Sequence, residues 1–412
     1  MESILQATLG IIISLCVAFS LSENKKAISY KHGILTLAWL IGISFATRTK
    51  VVLYSFKYLN SIMIALSTSS KKACGFVFGY LATGDNPYTL ISDDTPFILA
   101  LQSLPVVILV STILSLLFHF GIMQFIINNT AKFFMRALGV GSALGMGFVA
   151  NIFVGLSQSP LIIKPYLSNL TRSELFSFIC CGLAGSASAI AIIYAGVLNS
   201  VLENSMGHIT TAMIMNVFTA LLLARIVIPE TQKTTQGQEI IFTKHNSAMD
   251  AIYNGIMDGS KVVINVIAMI IGFLGLIYLI NSTLEASFLP GKFNSLENII
   301  GLFLSPIAWL MGINEENILQ AGSILASKLV MNELIAYQDL ISSTLIDNEK
   351  NKIIMIYAIC GFANLSSIGV IIGSYTVLAP NRKNEVTTLV VKAMLVGSIA
   401  NFLTGTIVGI AY

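Results

Sequence analysis

The sequence predicts an all-α polytopic membrane protein, and three observations lead to this fold class. Of the 412 residues, 55% are hydrophobic and 10% are charged, whereas a soluble domain carries about 25% charged residues. Several runs hold the ~20 apolar residues that a helix needs to cross a bilayer. Two further segments are apolar but broken by glycine, proline and polar residues, as in re-entrant hairpins. We therefore expect about eight transmembrane helices plus two re-entrant helical hairpins, arranged as an inverted repeat.

The predicted spanning helices are the continuous apolar runs. They cover residues 3–21, 34–47, 95–120, 172–201, 207–229, 261–282, 352–377 and 386–411. The interrupted segments, 141–167 and 315–341, are each followed by a long run, so hairpin and helix occur in the same order twice. The predicted units are N-terminal scaffold helices (1–94), a first hairpin-containing repeat with a cytoplasmic connection (95–260) and a second hairpin-containing repeat (261–412).

Lysine and arginine in the short connections predict the orientation in the cell membrane. Basic residues occur in 25–31, 132–136, 233–244 and 382–383, which fall on one side when spans and hairpins are counted. Because cytoplasmic loops are enriched in these residues, we expect this side to be cytoplasmic and both termini to lie outside. The basic residues within 48–72 conflict with this count. We expect an interfacial amphipathic segment there.

Three polar islands interrupt the hydrocarbon of the chain: residues 150–160, 328–337 and 361–369. Polar groups at bilayer depth are costly, and they usually mark a substrate or ion path. Interrupted segments at corresponding places in two halves are the sequence pattern of a transporter's binding site. The islands therefore predict a transport core built from the two hairpins and the helix that follows the second one.

The side chains of these islands indicate the chemistry of the ligand. Glu333 is a carboxylate in an apolar segment and needs a donor, a cation or a proton. It either pairs with Lys328 or serves the function, as an acceptor for substrate hydroxyls or as a proton carrier. Asn364 and Ser367, three residues apart, are expected to share one helix face. Together with Gln158, these donors and acceptors favour a polar, uncharged, polyhydroxylated ligand such as a sugar.

Other function classes lack their signals. The net charge of +3 and the absence of a basic run argue against nucleic-acid binding. No glycine-lysine nucleotide loop is present, and the histidines (His32, His119, His208 and His245) show no metal-ligand spacing. A membrane-embedded enzyme would need an acid/base pair or a metal, and neither can be assembled. A sensor or regulator that uses the same pocket is not distinguished from a transporter.

Three motifs identify a resemblance. Residues 361–369 read Gly-Phe-Ala-Asn-Leu-Ser-Ser-Ile-Gly, and residues 328–337 place Asn332-Glu333 four positions after Lys328. Residues 171–175 read Thr-Arg-Ser-Glu-Leu, after Pro-Tyr-Leu at 165–167. These motifs resemble those of the concentrative nucleoside transporters of the bacterial type. The resemblance extends over residues 1–412 and is most specific over 306–380.

The resemblance implies a homotrimer in the membrane lipid, in which each subunit imports a nucleoside together with a cation by an elevator-like movement of a transport domain. It implies no enzyme activity and no organic cofactor. In such proteins the ribose is held by the positions that match Glu333, Asn364 and Ser367, and Phe362 is expected to line the pocket. On the base side, the family's Gln-Thr-Glu is replaced by Leu156, Ser157 and Gln158.

The resemblance also implies a coupling-ion site. Asn151 and the carbonyl of Val154 match two ligands of the family's sodium site, but Gly185 occupies the place of a serine, with Ser186 next to it. Sodium is favoured over a proton because Asn151 is retained, and Glu333 is the proton carrier in the other case. The alternatives are a proton-coupled transporter of purine nucleosides or another ribosylated compound, and a non-transporting nucleoside-gated regulator.

Overall fold

The computed structural model describes residues 2–83, 98–156, 159–235, 246–286 and 295–412. Helices provide all the regular secondary structure in these ranges, as the predicted fold class requires. The predicted site residues Ser157 and Gln158 lie outside the described residues, as does the middle of the predicted cytoplasmic connection.

Within the described ranges, seven helices precede the first hairpin. They are α1 (Glu2–Ser20), α2 (Tyr30–Ala46), α3 (Lys50–Phe78), α4 (Tyr80–Thr83), α5 (Leu99–Gln102), α6 (Val106–His119) and α7 (Ile122–Leu138). Gly121 and Gly139 bound α7 with φ angles of 78° and 60°. Glycine adopts this left-handed conformation without the steric cost of a side chain, so the chain turns at both ends of the helix.

The first predicted repeat forms a hairpin, a broken helix and a long helix. Its elements are α8 (Ser142–Val154), α9 (Ser159–Ile162), α10 (Lys164–Leu167), α11 (Arg172–Ala184), α12 (Ser188–Leu198) and α13 (Ser205–Val227). A capping box starts α11, since the Thr171 hydroxyl accepts from the Glu174 backbone N–H while the Glu174 carboxylate accepts from the Thr171 N–H. The motif at 171–175 is therefore a helix-start signal.

The second repeat has the same order of elements. After α14 (Ala248–Ala286) and α15 (Leu296–Leu310), it contains α16 (Ile318–Val330), α17 (Glu333–Ile341), α18 (Glu349–Ile359), α19 (Leu365–Leu378) and α20 (Lys383–Ala411). Side chains cap the helices at their N-termini: Asn332 starts α17, Asn348 starts α18 and Asn364 starts α19. An asparagine at this position satisfies a backbone N–H that has no partner inside the helix.

Two predicted spanning helices are each broken, which corrects the sequence-based boundaries. The predicted run 172–201 is divided into α11 and α12 by residues 185–187, and 352–377 is divided into α18 and α19 by residues 360–364. The prediction was wrong because both breaks consist of uncharged residues, most of them small, which do not interrupt a hydropathy profile. Irregular backbone at this depth needs protein groups to satisfy it, and each break finds them in the other.

Several other boundaries differ from the prediction. Six helices among the described residues are long and apolar enough to cross a membrane. Shorter apolar helices accompany them, so the expected number of about eight is neither confirmed nor contradicted. Of the segment 48–72, predicted to be interfacial, residues 50–72 belong to the continuous helix α3, which is one of the six. The predicted run 261–282 is part of α14, which begins at Ala248.

The core lies between the two repeats. Helices α11, α13, α18 and α20 pack against one another, and the fully buried tyrosines Tyr194, Tyr337 and Tyr357 lie among them. The rings of Tyr194 and Tyr337 lie 5.2 Å apart between centroids, at a tilt of 48°. By contrast, α14 packs mainly along α6 and exposes most of its apolar surface. The broken helices and hairpin ends are therefore inside the protein, whereas α14 is at its periphery.

Candidate functional site

The two helix breaks contact each other at the centre of the molecule. The Phe362 backbone N–H donates to the Gly185 carbonyl at 3.0 Å. Gly361 makes this approach possible because a Cβ there would lie 2.3 Å from the Ala184 carbonyl oxygen. Its φ of 152° also lies in a region that residues with side chains rarely adopt. The glycine of the third polar island thus permits two backbone segments to meet.

Glu333 lies next to this contact, as the first residue of α17. Its side chain is buried, with 6% of the residue exposed. One carboxylate oxygen accepts a hydrogen bond from the Tyr194 hydroxyl, and the other accepts from the Asn364 side-chain amide at 3.2 Å. Lys328, considered as an ion-pair partner in the sequence analysis, instead donates to the Asn401 side chain at 2.7 Å. Glu333 is thus held by neutral donors that a ligand's hydroxyl groups can replace.

Asn364 performs two tasks with its two side-chain atoms. Its Nδ2 donates to Glu333, and its Oδ1 caps α19 by accepting from the Ser367 backbone N–H at 3.0 Å. The same oxygen accepts from the Ser367 hydroxyl at 3.0 Å and the Ser366 hydroxyl at 2.7 Å. The expected shared helix face is wrong, because Asn364 precedes the helix instead of lying on it. The two residues are nevertheless adjacent, through a cap.

Two further predicted substrate residues, Leu156 and Phe362, lie near these breaks. Leu156 is buried at the turn of the first hairpin and lies beside the α11 backbone: a Cβ built on Gly182 would be 2.6 Å from a Leu156 methyl carbon. Phe362 lies inside the second break and is partly exposed. Leu156 offers an apolar surface where the family pattern has an amide.

The predicted ion-site residues also lie near one another. The Asn151 side-chain amide donates to the Cys181 carbonyl at 3.1 Å, and its Oδ1 accepts from the Ser159 hydroxyl at 3.3 Å. A Cβ on Gly185 would lie 3.0 Å from Asn151 Nδ2, so the helix end and the first break adjoin this asparagine. Val154 is the last residue of α8. Their oxygens are of the type that small cations prefer.

Ser186 adds a further oxygen to this region. The residue is 1% exposed, and its hydroxyl oxygen makes no hydrogen bond with any part of the chain that the structure describes. A buried hydroxyl without a partner is costly, and a ligand or ion could supply that partner. The donor set therefore fits a small cation, although Gly185 contributes no side-chain oxygen.

Tyr194, Asn216 and Asn401 are not among the residues predicted from the sequence. A weak signal for the two asparagines exists in the sequence, because Asn-x-x-Thr occurs at 216–219 and again at 401–404. The breaks carry a second repeat, with Cys-Gly-Leu-Ala at 181–184 and Cys-Gly-Phe-Ala at 360–363. Four-residue matches in apolar helices occur frequently, so only their shared positions in the fold make them significant. Tyr194 had no signal, since a tyrosine on an apolar helix usually indicates packing.

Family models match the chain along most of its length. The model described as the N-terminus of Na⁺-dependent nucleoside transporters matches residues 9–81. A model described as nucleoside recognition matches 100–201, and the model of the C-terminus of Na⁺-dependent nucleoside transporters matches 208–409. The three matched ranges are consecutive and do not overlap.

Full-length relatives and solved structures agree with these matches. The chain is 34% identical to an uncharacterized transporter of Haemophilus influenzae over 99% of this chain and 98% of that protein. It is 32% identical to the nucleoside permease NupC of Helicobacter pylori, again over 99% and 98%. The structure of CNTnw in an inward-facing substrate-bound state superposes with a TM-score of 0.90 at 28% identity, covering 100% of both chains.

These matches extend over the whole chain and over both hairpins, so the fold class of a helical, multi-pass membrane protein is confirmed. The named relatives are transporters and permeases, and the chain is therefore not an enzyme. The motif that carries Asn364 and the hairpin that carries Glu333 fall inside the C-terminal family match. The chain belongs to the concentrative, Na⁺-dependent nucleoside transporter family.

Proposed function

We propose that this chain imports nucleosides by symport with a cation, with sodium as the coupling ion. The observation that carries the proposal is the buried Glu333 carboxylate, which is bound by the amide of Asn364 at 3.2 Å where α17 and α19 begin. Both helices present the positive end of their dipole there. This arrangement suits a neutral ligand that offers hydroxyl groups and carries no negative charge of its own.

The ribose is the part of a nucleoside that this site fits. Two neighbouring sugar hydroxyls can donate to the two oxygens of Glu333, replacing or joining the present donors. Asn364 and Ser367 can bridge to the same hydroxyls, since an amide and a hydroxyl both donate and accept. Tyr194 then has a positioning role, because its hydroxyl, on α12, donates a hydrogen bond to the Glu333 carboxylate on α17.

The base lies in this proposal against the turn of the first hairpin. Leu156 supplies an apolar contact, with Ser157 and Gln158 as the polar neighbours in the sequence, and Phe362 provides an aromatic edge. Removing a hydrogen-bonding side chain from a specificity pocket alters discrimination strongly when ligand groups are left unpaired. We therefore expect a base preference that differs from that of relatives with Gln-Thr-Glu.

The coupling ion in this proposal binds near the end of α11. Asn151, the carbonyl of Val154 and Ser186 supply oxygens, and Gly185 adjoins Asn151 without adding a side-chain oxygen. A bound cation would link the first hairpin to the first break and so favour the conformation that accepts the nucleoside. A proton is the second candidate, supported by the missing side-chain oxygen at Gly185, and Glu333 would then carry it.

Assembly and movement are part of the same proposal. We infer a homotrimer whose transport core moves relative to the peripheral pair α6 and α14. Support comes from an apolar stripe on α14, where Ile264, Ile271 and Leu279 are 64%, 69% and 66% exposed and lie seven or eight residues apart. Cross-linking cysteines along this stripe should give trimers, and dimers or monomers alone would contradict the assembly.

The decisive experiment is uptake by purified protein in proteoliposomes. A panel of radiolabelled uridine, cytidine, adenosine, guanosine and inosine is supplied with an imposed sodium gradient, a proton gradient or neither. Accumulation driven by sodium supports the proposal, and accumulation driven by protons alone supports the second candidate. Nucleoside binding without any accumulation would instead support a nucleoside-gated regulator, and neither binding nor uptake would refute nucleoside recognition.

A further inference from the structure

Lys328 is a buried cation that the proposed binding site does not use. The residue is 0% exposed, in the last turn of α16. Its ammonium group donates to Asn401 Oδ1 at 2.7 Å and lies 5.6 Å from the centroid of the Phe402 ring. Burying an ammonium group is costly unless its surroundings compensate the charge. A lysine retained at such a position therefore requires an explanation.

Asn401 connects this ammonium group to both helix breaks. Its Nδ2 donates to the Ala184 carbonyl at 2.9 Å and to the Cys360 carbonyl at 3.1 Å. These carbonyls lie at the C-terminal ends of α11 and α18, where a helix carries partial negative charge. The Asn401 side-chain amide thus links the charge of Lys328 to the negative C-terminal ends of α11 and α18.

The two repeats are related by contacts as well as by element order. Asn401 on α20 donates to the end of α11 in the other repeat, and Asn216 on α13 donates to the Cys360 carbonyl at the end of α18. Thr219 and Thr404, each three residues after its asparagine, form a hydrogen bond with each other at 3.0 Å. The asparagines and threonines therefore occupy equivalent positions in the two repeats.

The two repeats differ in the charge that lies near these equivalent asparagines and threonines. In the first repeat, the last turn of the first hairpin helix carries the neutral Asn151, which donates to the Cys181 carbonyl near the end of α11. In the second repeat, the corresponding turn carries Lys328. Asn401 Oδ1 accepts from the lysine, whereas the buried Asn216 Oδ1 has no hydrogen-bond partner in the described ranges.

We propose that the ammonium group of Lys328 is a tethered cation of the second repeat, which takes the place that a free coupling ion takes in the first. It is a positioning residue: through Asn401 it fixes the second break, and with it Asn364 and Glu333, in the geometry that binds nucleoside. This inference rests on the proposed function. A consequence is that, of the two equivalent half-sites in the described ranges, only the first binds a free cation.

Two conservative substitutions separate charge from hydrogen bonding. Lys328→Arg keeps the positive charge, and Lys328→Gln keeps a donor for Asn401 but removes the charge. We expect the arginine variant to retain most of the affinity and the glutamine variant to bind [³H]uridine and [³H]adenosine about 10- to 100-fold more weakly, the range for a lost bond to a charged group. Equilibrium binding to detergent-solubilised protein measures this without requiring transport.

Chemical rescue gives a result that a merely structural role would not give. Lys328→Ala lacks the side-chain atoms beyond Cβ, and these are the heavy atoms of n-propylammonium. Millimolar n-propylammonium should therefore restore nucleoside binding to this variant, whereas neutral n-propanol should not. Lys352 is the matched control, since its ammonium group donates to the Val201 carbonyl at 3.0 Å, away from both breaks. Lys352→Ala should bind nucleoside normally and be indifferent to propylammonium.

Binding of nucleoside by the wild-type protein tests the proposed function. Comparison of the variants with wild type tests the tethered-cation role separately, so failure of one can be told from failure of the other. If wild type binds nucleoside and Lys328→Gln binds it equally well, the tethered-cation role is wrong. Equal rescue by propanol, or a Lys328→Ala protein that stays unfolded even with propylammonium present, would show that the lysine only fills space or stabilises the fold.

Discussion

At the scale of single residues, Glu333 is the group on which ligand binding should depend most directly in the proposed site. Its two oxygens already accept from Tyr194 and Asn364, so the carboxylate is held in place before a ligand arrives. Hydrogen bonds to an ionised group are worth more than those to a neutral one. An isosteric change that removes the charge should therefore affect binding far more than folding.

Glu333→Gln should weaken nucleoside binding by about tenfold to more than a hundredfold, since a bond to a charged group contributes about 1.5–3 kcal/mol. Equilibrium binding and proteoliposome uptake measure the loss. Glu297→Gln is the matched control, because Glu297 is also buried and accepts from the Asn281 amide at 3.1 Å, but lies on α15. Wild-type affinity in the Glu333 variant would remove this residue from the site.

Ser367→Ala tests the sugar assignment more cleanly than a change at Asn364, which caps α19. The substitution removes the hydroxyl but keeps the backbone N–H that donates a hydrogen bond to Asn364 Oδ1. Because every nucleoside carries the sugar, affinity for all members of the panel should fall by a similar factor. 2′- and 3′-deoxynucleosides provide the reciprocal comparison. A change in the ranking of bases would instead place Ser367 on the base side.

Gly185→Ser should strengthen the sodium dependence of uptake, because it adds the side-chain oxygen that the ion site lacks. The new Cβ would lie 3.0 Å from both Asn151 Nδ2 and the Cys181 carbonyl oxygen, so these neighbours must shift slightly. Gly185→Ala controls for that crowding, since it adds the carbon without the oxygen. Equal sodium affinity in the serine and alanine variants would contradict the ion-site assignment.

At the scale of elements, the two broken helices are the central feature of the fold. Each break leaves backbone groups without helical partners, and partners come from the other repeat: Gly185 accepts from Phe362, Ala184 accepts from Asn401, and Cys360 accepts from Asn216. Irregular backbone is tolerated at membrane depth only under such cover. The breaks therefore depend on each other, and neither should persist alone.

Gly361→Ala tests this mutual dependence. A Cβ there would lie 2.3 Å from the Ala184 carbonyl oxygen and 2.7 Å from Asn401 Nδ2, and overpacking of this kind costs about 1–3 kcal/mol. We expect a lower melting temperature in detergent and loss of nucleoside binding. The control is Gly369→Ala in α19, where a Cβ would meet nothing within 4 Å. Similar behaviour of the two variants would show that the breaks are not tightly coupled.

At the scale of the whole molecule, an ion cluster ties the α1–α2 connection to the repeats. The Glu23 carboxylate accepts from the Arg172 guanidinium at 3.0 Å and from the Lys392 ammonium at 3.3 Å. The Arg172 guanidinium, which hydrogen-bonds to this carboxylate, holds the pKa of Glu23 below its usual value of 4.5. These groups are partly exposed, so the cluster should contribute less than about 1 kcal/mol.

The lowered pKa predicts a weak acid sensitivity of the fold. The stabilisation is present above pH 4.5, the usual value for this group, and is lost as the pH falls through the lower folded value. Melting temperatures measured between pH 7 and pH 3.5 should therefore fall less for Glu23→Gln than for wild type, and the difference should shrink in high salt. Parallel curves for both proteins would show that the cluster makes no pH-dependent contribution.

The sequence alone determined the membrane-embedded helical class, and it predicted two hairpins and the candidate site residues Glu333, Asn364 and Ser367. These follow from local properties: hydropathy, interruption of apolar runs, and polar groups that are too costly to bury without a purpose. The motif at 361–369 added specificity that composition could not, because it prescribes which polar residue stands at which position.

Only the tertiary structure decided how these pieces act together. The breaks in 172–201 and 352–377 are invisible to hydropathy because uncharged, mostly small residues form them. The backbone of each break finds a partner more than 170 positions away, since Phe362 pairs with Gly185. The hydrogen-bond partner of Lys328 is Asn401 on α20 rather than Glu333, a contact between residues 73 positions apart. Such choices depend on contacts between distant segments, which no local pattern in the chain encodes.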